Sequence, residues 1–353
     1  MKTRIFSFLS LLALLLLSAS PEAFGQKKLK PVKMKKYGIA PANYSGWVKV
    51  APDSFALIDD KSRVDGFYPV RVKQNPVTGK IIDVRCYELR GDNDALAKNK
   101  RRADTDCEDI TYVPDWNTYF ICSEYEQQVN EYDTEGKRTG RRLQIPAQFH
   151  WKRINDNAGF ESVTYNARTS LFWVTTEGPL KADSATSRPL LRLQSFGRDL
   201  RPQGQWFYEM DLPELRPGKY YAHGVSALLA LDDGRLLVLE RELTVPANYL
   251  GSKTRTKVYC VTPADLPSVE PGKELAELMP VKSLEKTPVF SFDTHIRPGR
   301  LNYGNYEGMA LGARLTDGRQ TLLLICDSQA GAGNKYYRLK DYIKVVVLPR
   351  EVM

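Results

Sequence analysis

Acidic residues bracket short β-rich segments of this 353-residue chain, at a spacing that brings them together. The segment GFESVTYNARTSLFWVTTEG carries Glu161 near its start and Glu177 near its end, with turn-forming residues between them. In an antiparallel hairpin the start of the first strand and the end of the second lie at the same edge, so these two carboxylates are predicted to be neighbours. Neighbouring carboxylates can exchange protons or bind a cation.

The same pattern occurs four more times along the chain. Two further segments open and close with an acid, and two open with Ser226 or Gly46 but still close with an acid. These segments read SGWVKVAPDSFALIDDKS, DCEDITYVPDWNTYFICSEYE, GVSALLALDDGRLLVLERE and NYEGMALGARLTDGRQTLLLICDSQ. In all five segments the residue halfway between the opening and closing positions falls in a turn-forming stretch, as a hairpin requires.

The repeat predicts the fold class. Each hairpin is followed by one or two further strand candidates, which gives about four strands in every 40 to 60 residues, the pattern of a β-propeller. We therefore expect an all-β chain forming a single β-propeller of five or six four-stranded blades. PVFSFDTHI is the candidate for a sixth blade, and KLKPVKMKKYGI is expected to pair with the C-terminal KVVVLP and close the ring.

In such a ring the bracketing acids would meet on one rim of the central channel. The eight predicted rim carboxylates are Asp60, Glu108, Glu124, Glu161, Glu177, Glu240, Glu307 and Asp327. Clustered carboxylates repel one another, which raises some of their pKa values or requires a cation. Oxygen ligands without His or Cys favour Ca²⁺. Alternatively, the acids accept backbone hydrogen bonds or pair with Lys61 and Arg241 of other blades, and hold the fold together.

These considerations give each candidate residue a role. Glu161 and Glu177 are the predicted catalytic carboxylates. The predicted metal ligands are Asp60, Glu108, Glu124, Glu240, Glu307 and Asp327. The predicted ligand-binding residues are Asn157, Asn305, Lys61 and Arg241, because the two asparagines precede opening glutamates and the two basic residues directly follow closing acids.

Composition and charge limit the other possibilities. A basic start, an apolar run and small residues at Ala23 and Gly25 predict a signal peptide over residues 1–25, hence an exported, periplasmic or secreted domain of residues 26–353 without a transmembrane segment. The net charge of +9 is scattered, so we expect no nucleic-acid partner, and we expect a monomer. Cys86 and Cys107 flank a polar insertion and are candidates for a disulfide.

Several common catalytic signatures are missing from the sequence. It contains no GxSxG nucleophile elbow, no HExxH zinc motif and no P-loop, which argues against the usual serine hydrolases, zinc proteases and nucleoside triphosphatases.

Taken in order, the five segments resemble the bacterial "esterase-like activity of phytase" domain family, from about Tyr44 to Pro349. The resemblance implies a propeller that hydrolyses esters or phosphoesters. The positions that match the family's pattern are Glu161, Glu177, Glu240, Glu307 and Asp327, with Asn157 and Asn305.

The resulting prediction is an exported phytase-like hydrolase, whose rim carboxylates hold Ca²⁺ that binds and polarises a small phosphomonoester for attack by water. The alternative is a non-catalytic propeller that binds a glycan, a peptide or an envelope component through the same rim. A third interpretation, a purely structural ring of acids, predicts no ligand.

Overall fold

The structure is a computed structural model that describes residues 27–62, 64–91, 106–185 and 187–352. The predicted signal peptide and the basic stretch at residues 98–104 lie outside the described residues. Two short strands come first, β1 (Lys27–Lys28) and β2 (Val32–Lys33).

Five antiparallel sheets follow in chain order. The first contains β3 (Tyr44–Ala51), β4 (Ser54–Asp59), β5 (Gly66–Gln74), β6 (Ile81–Cys86) and the short β7 (Arg90–Gly91). The second contains β8 (Cys107–Val113), β9 (Thr118–Ser123), β10 (Gln128–Tyr132) and β11 (Arg138–Arg142). The third contains β12 (Phe160–Asn166), β13 (Leu171–Thr176), β14 (Leu190–Phe196) and β15 (Pro202–Glu209). The fourth contains β16 (Tyr220–Ala230), β17 (Leu236–Val245), β18 (Lys253–Val261), β19 (Lys286–Arg297) and β20 (Arg300–Leu301), and the fifth contains β21 (Asn305–Arg314), β22 (Gln320–Asp327) and β23 (Tyr342–Val347).

These sheets are the blades of a five-bladed β-propeller, which confirms the predicted fold class. The suggestion of a sixth blade is wrong, because PVFSFDTHI lies in β19, the fourth strand of the fourth blade. The predicted ring closure is confirmed: β1 and β2 both pair with β23, with Lys28 opposite Val346 and Val32 opposite Ile343.

Each of the five predicted hairpins is the first strand pair of a blade. Their turns fall between β3 and β4, β8 and β9, β12 and β13, β16 and β17, and β21 and β22. All five predicted midpoints lie in these turns, and each turn contains one residue with positive φ: Asp53, Asn117, Ser170, Gly234 or Gly318. The alternation of turn residues and apolar runs in the sequence therefore located the inner half of every blade.

Apolar side chains fill the spaces between the blades. Phe120 of the second blade and Phe172 of the third have ring centroids 4.7 Å apart, and Leu239 of the fourth blade shares a buried cluster with Leu324 of the fifth. Because every blade is covered on both sides by its neighbours, its inner strands are apolar on both faces, and the sequence shows continuous rather than alternating apolar runs.

The cysteines follow this packing. Cys122 and Cys326 are fully buried, as their apolar surroundings in the sequence predicted. Within the described residues no disulfide joins Cys86 to Cys107, so that pairing is not formed.

The first strand of each blade lies at the axis and is an edge strand, so its outward backbone N–H groups need partners. Side chains of the preceding blade supply them. Ser162 Oγ accepts a hydrogen bond from Leu228 N at 2.6 Å and donates one to Asp109 Oδ2 at 2.8 Å, which connects the second, third and fourth blades. Thr111 and Thr164 accept similar bonds from the backbone of the next blade.

Helices are few and short. The described residues include one α-helix, α1 (Leu275–Leu278), and six 3₁₀ turns, at Met34–Tyr37, Ala147–Phe149, Trp151–Arg153, Asp183–Ala185, Pro263–Asp265 and Arg350–Val352. None of the helices in this part of the chain has the length and apolar character needed to cross a membrane.

The closure of the ring can be tested at Leu29, which follows β1, donates its backbone N–H to Val345 O at 2.9 Å, and packs with Ile343 and Val345. We expect Leu29→Ala to lower the free energy of unfolding by about 3 kcal/mol, because it leaves a cavity at the closing strand. The measurement is urea denaturation. The matched control is the exposed neighbour Lys30, whose change to alanine is expected to stay within about 0.5 kcal/mol of the parent protein. Equal losses of unfolding free energy in the two variants would contradict a role for Leu29 in closing the ring.

Candidate functional site

Every innermost strand contains a β-bulge, and the opening position of the sequence repeat is the bulged residue. The strand register skips Glu108, Glu161, Ser226 and Glu307 in the second to fifth blades, and skips Ser45–Gly46 in the first. A bulge leaves a residue outside the ladder and redirects its side chain. The repeat in the sequence is therefore a repeated backbone irregularity at the axis.

The closing residue of each repeat lies on the second strand of the blade or directly after it, near the bulge of the first strand. Glu177 N donates to Gly159 O, two residues before the bulge at Glu161, and the equivalent residues of the first, second and fifth blades are Asp60, Glu124 and Asp327. In the fourth blade the residue opposite the equivalent Gly224 is Arg241, whereas Glu240 pairs one step further along, with Val225. The structure thus corrects the sequence alignment by one residue: the fourth blade contributes a cation where the others contribute an acid.

Glu240 consequently lies apart from the other predicted rim acids. Its carboxylate accepts hydrogen bonds from Tyr208 Oη at 2.5 Å and from Asp211 N at 3.1 Å, and it pairs with Lys286 Nζ at 2.8 Å. Neighbouring residues of a strand point to opposite faces, so Glu240 and Arg241 cannot both face the axis. The assignment of Glu240 to the rim is therefore wrong.

Arg241 is buried among Glu161, Glu177 and Glu307, and we call these four residues the arginine cluster. Its Nη2 lies 2.9 Å from Glu177 Oε1, 3.2 Å from Glu307 Oε1 and 3.6 Å from Glu161 Oε1, so one guanidinium group contacts carboxylates of the third and fifth blades. Gly224 allows this approach, because a Cβ there would lie 2.3 Å from Glu177 Cγ. The possibility that rim acids pair with Arg241 is realised in this cluster.

A second group, the carboxylate triad, lies on the first and second blades. It consists of Asp60, Asp106 and Glu108, which each offer an oxygen within 4.8 Å of the others. Lys61 forms ion pairs with Asp60 at 3.4 Å and with Asp106, while its side chain remains 42% exposed. Sequence reasoning missed Asp106, although the density of acids in DTDCED was a signal for it.

Burial and mutual repulsion raise the pKa values of these acids. Burial, together with the charge of Glu177, holds the pKa of Glu161 well above its usual range, and burial raises that of Glu177 to about 7 in spite of Arg241. Burial followed by the charges of Glu161 and Asp60 has the same effect on the pKa of Glu108. For Asp60 burial outweighs the contribution of Lys61, and its pKa is raised to about 7.

The remaining predicted residues border the two groups. Burial and the charge of Glu307 raise the pKa of Asp327, and Asn305 donates to Glu307 Oε1 at 2.7 Å. Glu124 Oε1 accepts a hydrogen bond from Gly159 N at 2.8 Å, and Asn157 lies beside Glu124 in an open pocket of about 250 Å³.

Several buried polar atoms at the axis have no hydrogen-bond partner among the described residues. They are Arg241 Nε and Nη1, Glu177 Oε1, Asn305 Oδ1 and Asp60 Oδ1. Glu177 Oε1 contacts Arg241 as an ion pair, but without hydrogen-bond alignment. Because an unsatisfied buried polar group is costly, these atoms mark where water, a cation or a ligand would bind.

A family model described as phytase-like, "esterase-like activity of phytase", matches residues 42–329. No curated protein matches the sequence significantly.

Three solved structures with distant similarity are each under 25% identical to the chain. A streptogramin B lyase is 11% identical with a TM-score of 0.35, covering 92% of this chain and 98% of its own. A luciferin-regenerating enzyme is 10% identical with a TM-score of 0.42, and the match covers 90% of this chain and 97% of the enzyme. The aldose sugar dehydrogenase of Streptomyces coelicolor is 10% identical with a TM-score of 0.36, and the match covers 93% of this chain and 100% of the dehydrogenase. Similarities of this size carry no argument about activity.

The arginine cluster predicts a pH-dependent stability. In Arg241→Gln the buried glutamates lose their counter-charge, so we expect a loss of about 3–5 kcal/mol at pH 8. The loss should be smaller at pH 5. A glutamate whose pKa is higher in the folded than in the unfolded protein destabilises the fold as the pH rises from the unfolded pKa to the folded pKa. For Glu177 these two pKa values are about 4.3 and, with Arg241 present, about 7.

The measurement is denaturant unfolding at both pH values. The matched control is Arg319→Gln, which removes a surface ion pair with Asp317 and is expected to leave the free energy of unfolding almost unchanged at either pH. A loss in Arg241→Gln that does not depend on pH would contradict the assignment.

Proposed function

The chain belongs to the phytase-like family, and on this premise we propose that it is an exported hydrolase that cleaves small phosphomonoesters with Ca²⁺ bound at its axial carboxylates. Family membership and the propeller fold support a phytase-like hydrolase. The metal, the reaction and the residues are proposed from the site itself.

The observation that carries the proposal is an imbalance of charge. Eight carboxylates lie in or beside the two groups at the axis: Asp60, Asp106, Glu108, Glu124, Glu161, Glu177, Glu307 and Asp327. Within the described part of the chain, the basic side chains in ion pairs with them are Lys61 and Arg241. Buried carboxylates in such excess must bind protons or cations.

The carboxylate triad fits Ca²⁺ better than the arginine cluster does. Its donors are all oxygens, and Asp60 Oδ1 is buried without a hydrogen-bond partner. Ca²⁺ takes six to eight oxygen ligands, so neighbouring acids and water would complete the set started by Asp60, Asp106 and Glu108. Arg241 already supplies a buried positive charge to the arginine cluster, whereas Lys61 is half-exposed and can move away from Asp106.

Ca²⁺ bound there would supply the positive charge that holds and polarises a phosphate group. Lys61, once released from Asp106, is placed to pair with the same phosphate. Arg241 is instead committed to the glutamates beneath it, so its contribution is to fix their positions and protonation states.

Glu161 and Glu177 then divide the proton transfers between them. Glu177 is nearer to Arg241, 2.9 Å against 3.6 Å, so of the two it is the easier to ionise and the more suitable base. In the proposed reaction a water oxygen bonds to phosphorus and gives its proton to Glu177, the bond from phosphorus to the alcohol oxygen breaks, and protonated Glu161 gives its proton to that oxygen. A pair of carboxyls with separated pKa values suits this exchange.

The cation site can be tested by thermal unfolding of metal-stripped protein. We expect Ca²⁺ to raise the melting temperature, by the equivalent of about 2.7 kcal/mol when it is present at 100 times its Kd. Glu108→Gln, which keeps the side-chain shape but removes the charge, should abolish most of this rise. Glu240→Gln is the matched control and should retain it, because Glu240 is bonded elsewhere. No calcium-dependent rise in the parent protein would refute the cation site.

The catalytic assignment can be tested with phytate and a simple phosphomonoester. We expect turnover that depends on Ca²⁺, and we expect Glu177→Gln to lower kcat by about 100-fold or more, since it removes a general base. The calcium-dependent rise in melting temperature should persist in this variant, which shows that its fold survives. Glu285→Gln, on the exposed surface of the fourth blade, should leave turnover unchanged.

If Glu177→Gln keeps its full rate, Glu177 has no part in the mechanism. If Ca²⁺ binds but neither substrate is turned over, that result would favour the alternative, a non-catalytic propeller that binds its ligand through the same rim.

A further inference from the structure

The strands of the fourth blade continue past the rim on which the axial acids lie. β16 begins at Tyr220, well before the bulge at Ser226, and β17 ends at Val245. In the third blade β12 begins at Phe160, next to its bulge at Glu161. The fourth blade is therefore longer by about five residues at this end, which corresponds to a projection of about 15 Å beyond its neighbour. We call this projecting part, residues 220–224, 242–254 and 294–301, the rim extension.

A separate apolar cluster holds the rim extension in place. Five buried side chains pack between the extension and the loop of residues 328–341, which joins β22 to β23: Leu243, Val245, Ile296, Tyr303 and Leu339. The same loop bonds to the extension through Asn334 Nδ2, which donates to Asn248 O at 2.9 Å. The tip of the extension is therefore a fixed part of the fold, and its surface has a defined shape.

Two large side chains are exposed at this tip. Leu301, in the hairpin of β19 and β20, is 57% exposed, and Tyr336, in the loop between β22 and β23, is 78% exposed. They line one small cavity of about 40 Å³, so they are neighbours. Exposed apolar residues scattered singly need no explanation, but adjacent ones on a projecting tip are typical of a contact surface.

The same tip carries an excess of positive charge. The one acid of β19, Asp293, is paired with Lys253 at 2.7 Å and with Arg255 at 3.0 Å. No Asp or Glu is among the described residues that line the cavity. Five exposed basic side chains at the tip form no ion pair with an acid of the described chain: Arg297, Arg300, Lys335, Arg338 and Lys340. Such a surface attracts anions.

The exposed apolar side chains among these cations favour a membrane over a dissolved polyanion. An acidic polymer in solution is bound through its charges, and an exposed leucine adds nothing to that attraction. At a lipid surface, basic residues lie against anionic headgroups, while leucine and tyrosine side chains enter the boundary between headgroups and acyl chains. The tip repeats this combination on two adjacent loops: Leu301 directly follows Arg300, and Lys335 Nζ lies 5.8 Å from the ring centroid of Tyr336.

The axial acids do not oppose such docking. The glutamates of the arginine cluster are buried, and they lie at the level of the bulges. The rim extension projects about 15 Å beyond the neighbouring blade, which exceeds the Debye length of about 8 Å at physiological ionic strength. Repulsion between the axis and an anionic surface is therefore largely screened, whereas the cations of the tip touch that surface.

We propose that the rim extension docks the protein on a membrane surface that carries anionic lipids. Leu301 and Tyr336 enter the interfacial layer, and the five basic side chains of the tip lie against the headgroups. The inference does not depend on hydrolysis at the axis, so either proposal can fail while the other holds.

The test is co-sedimentation of metal-stripped protein with lipid vesicles, in EDTA so that Ca²⁺ cannot bridge acids and lipid. The chain of residues 26–353 is used, because it contains every described strand and lacks the apolar run near the start of the sequence. We expect vesicles of equal parts phosphatidylcholine and phosphatidylglycerol to bind about tenfold or more tightly than vesicles of phosphatidylcholine alone.

Two variants separate the contributions of charge and apolar contact. Arg297→Glu/Arg300→Glu should weaken binding to the anionic vesicles about tenfold or more, because each basic residue near such a surface contributes about fivefold to the affinity. Leu301→Ala should weaken it about three- to tenfold, because it removes apolar surface that leaves water on docking.

Matched controls lie on the first blade, at the end opposite the rim. Lys73→Glu/Lys80→Glu makes the same change of charge at exposed residues, and Val77→Ala shortens an apolar side chain that is 62% exposed in the turn after β5. Both controls should bind like the parent protein, and melting temperatures establish that all the variants fold.

No binding to anionic vesicles, equal binding to both kinds of vesicle, or equal losses in the tip variants and their controls would overturn the inference. Unchanged binding in Leu301→Ala would also overturn it, because the attraction would then be one of charge alone. Sodium alginate tests the competing partner, an acidic glycan. Alginate binding that requires Arg297 and Arg300, without binding to vesicles, would replace the membrane with a glycan.

Discussion

The burial of Arg241 among three glutamates is the interaction on which the centre of this propeller depends. Its Nη2 lies within 3.6 Å of oxygens from Glu161, Glu177 and Glu307, so one guanidinium group holds acids from two blades while being anchored in a third. Removing a charged group from water is expensive, and the cost is offset only when its partners are close and fixed. The five blades must therefore keep their angular positions around the axis, because a shift of one blade would separate a buried carboxylate from its counter-charge.

The backbone makes this arrangement possible. The bulges of the second, third and fifth blades carry Glu108, Glu161 and Glu307 to the axis. Gly224 leaves room for the side chain of Glu177, which approaches from the neighbouring blade. Apolar packing between the blades provides most of the stability, but it is non-directional. Hydrogen bonds such as that from Leu228 N to Ser162 Oγ fix the height of one blade against the next, and so determine which rim residues meet.

The sequence predicted the architecture well because the signals for each hairpin lie close together along the chain. Turn residues between two apolar runs define a hairpin with little help from the rest of the chain, and five such hairpins, with their midpoints in the observed turns, were sufficient to indicate a propeller. The fourth blade was harder. Its strands are long, and the irregular segment of residues 262–285, which includes α1, separates the third strand from the fourth, so β19 was taken as the start of another blade.

The site was predicted less completely, because side-chain direction in a strand changes with every residue. The alignment that placed Glu240 on the rim was in error by one position, and that error exchanged an acid for Arg241. Asp106 was missed because its importance comes from contacts with Asp60 and Lys61, which are distant in sequence. No spacing rule in a single sequence gives such contacts.

The two axial groups differ in whether their counter-charge can leave, and this difference determines what each can do. Arg241 is enclosed by protein and belongs to the chain, so the arginine cluster has a permanent cation that fixes the geometry of Glu161 and Glu177. Lys61 is half-exposed and reaches the carboxylate triad from the solvent side, so it can be exchanged for another cation at little cost in packing. A centre that needs both a rigid proton-transfer pair and a replaceable positive charge would be built in this way, with the fixed cation on the third to fifth blades and the exchangeable one on the first two.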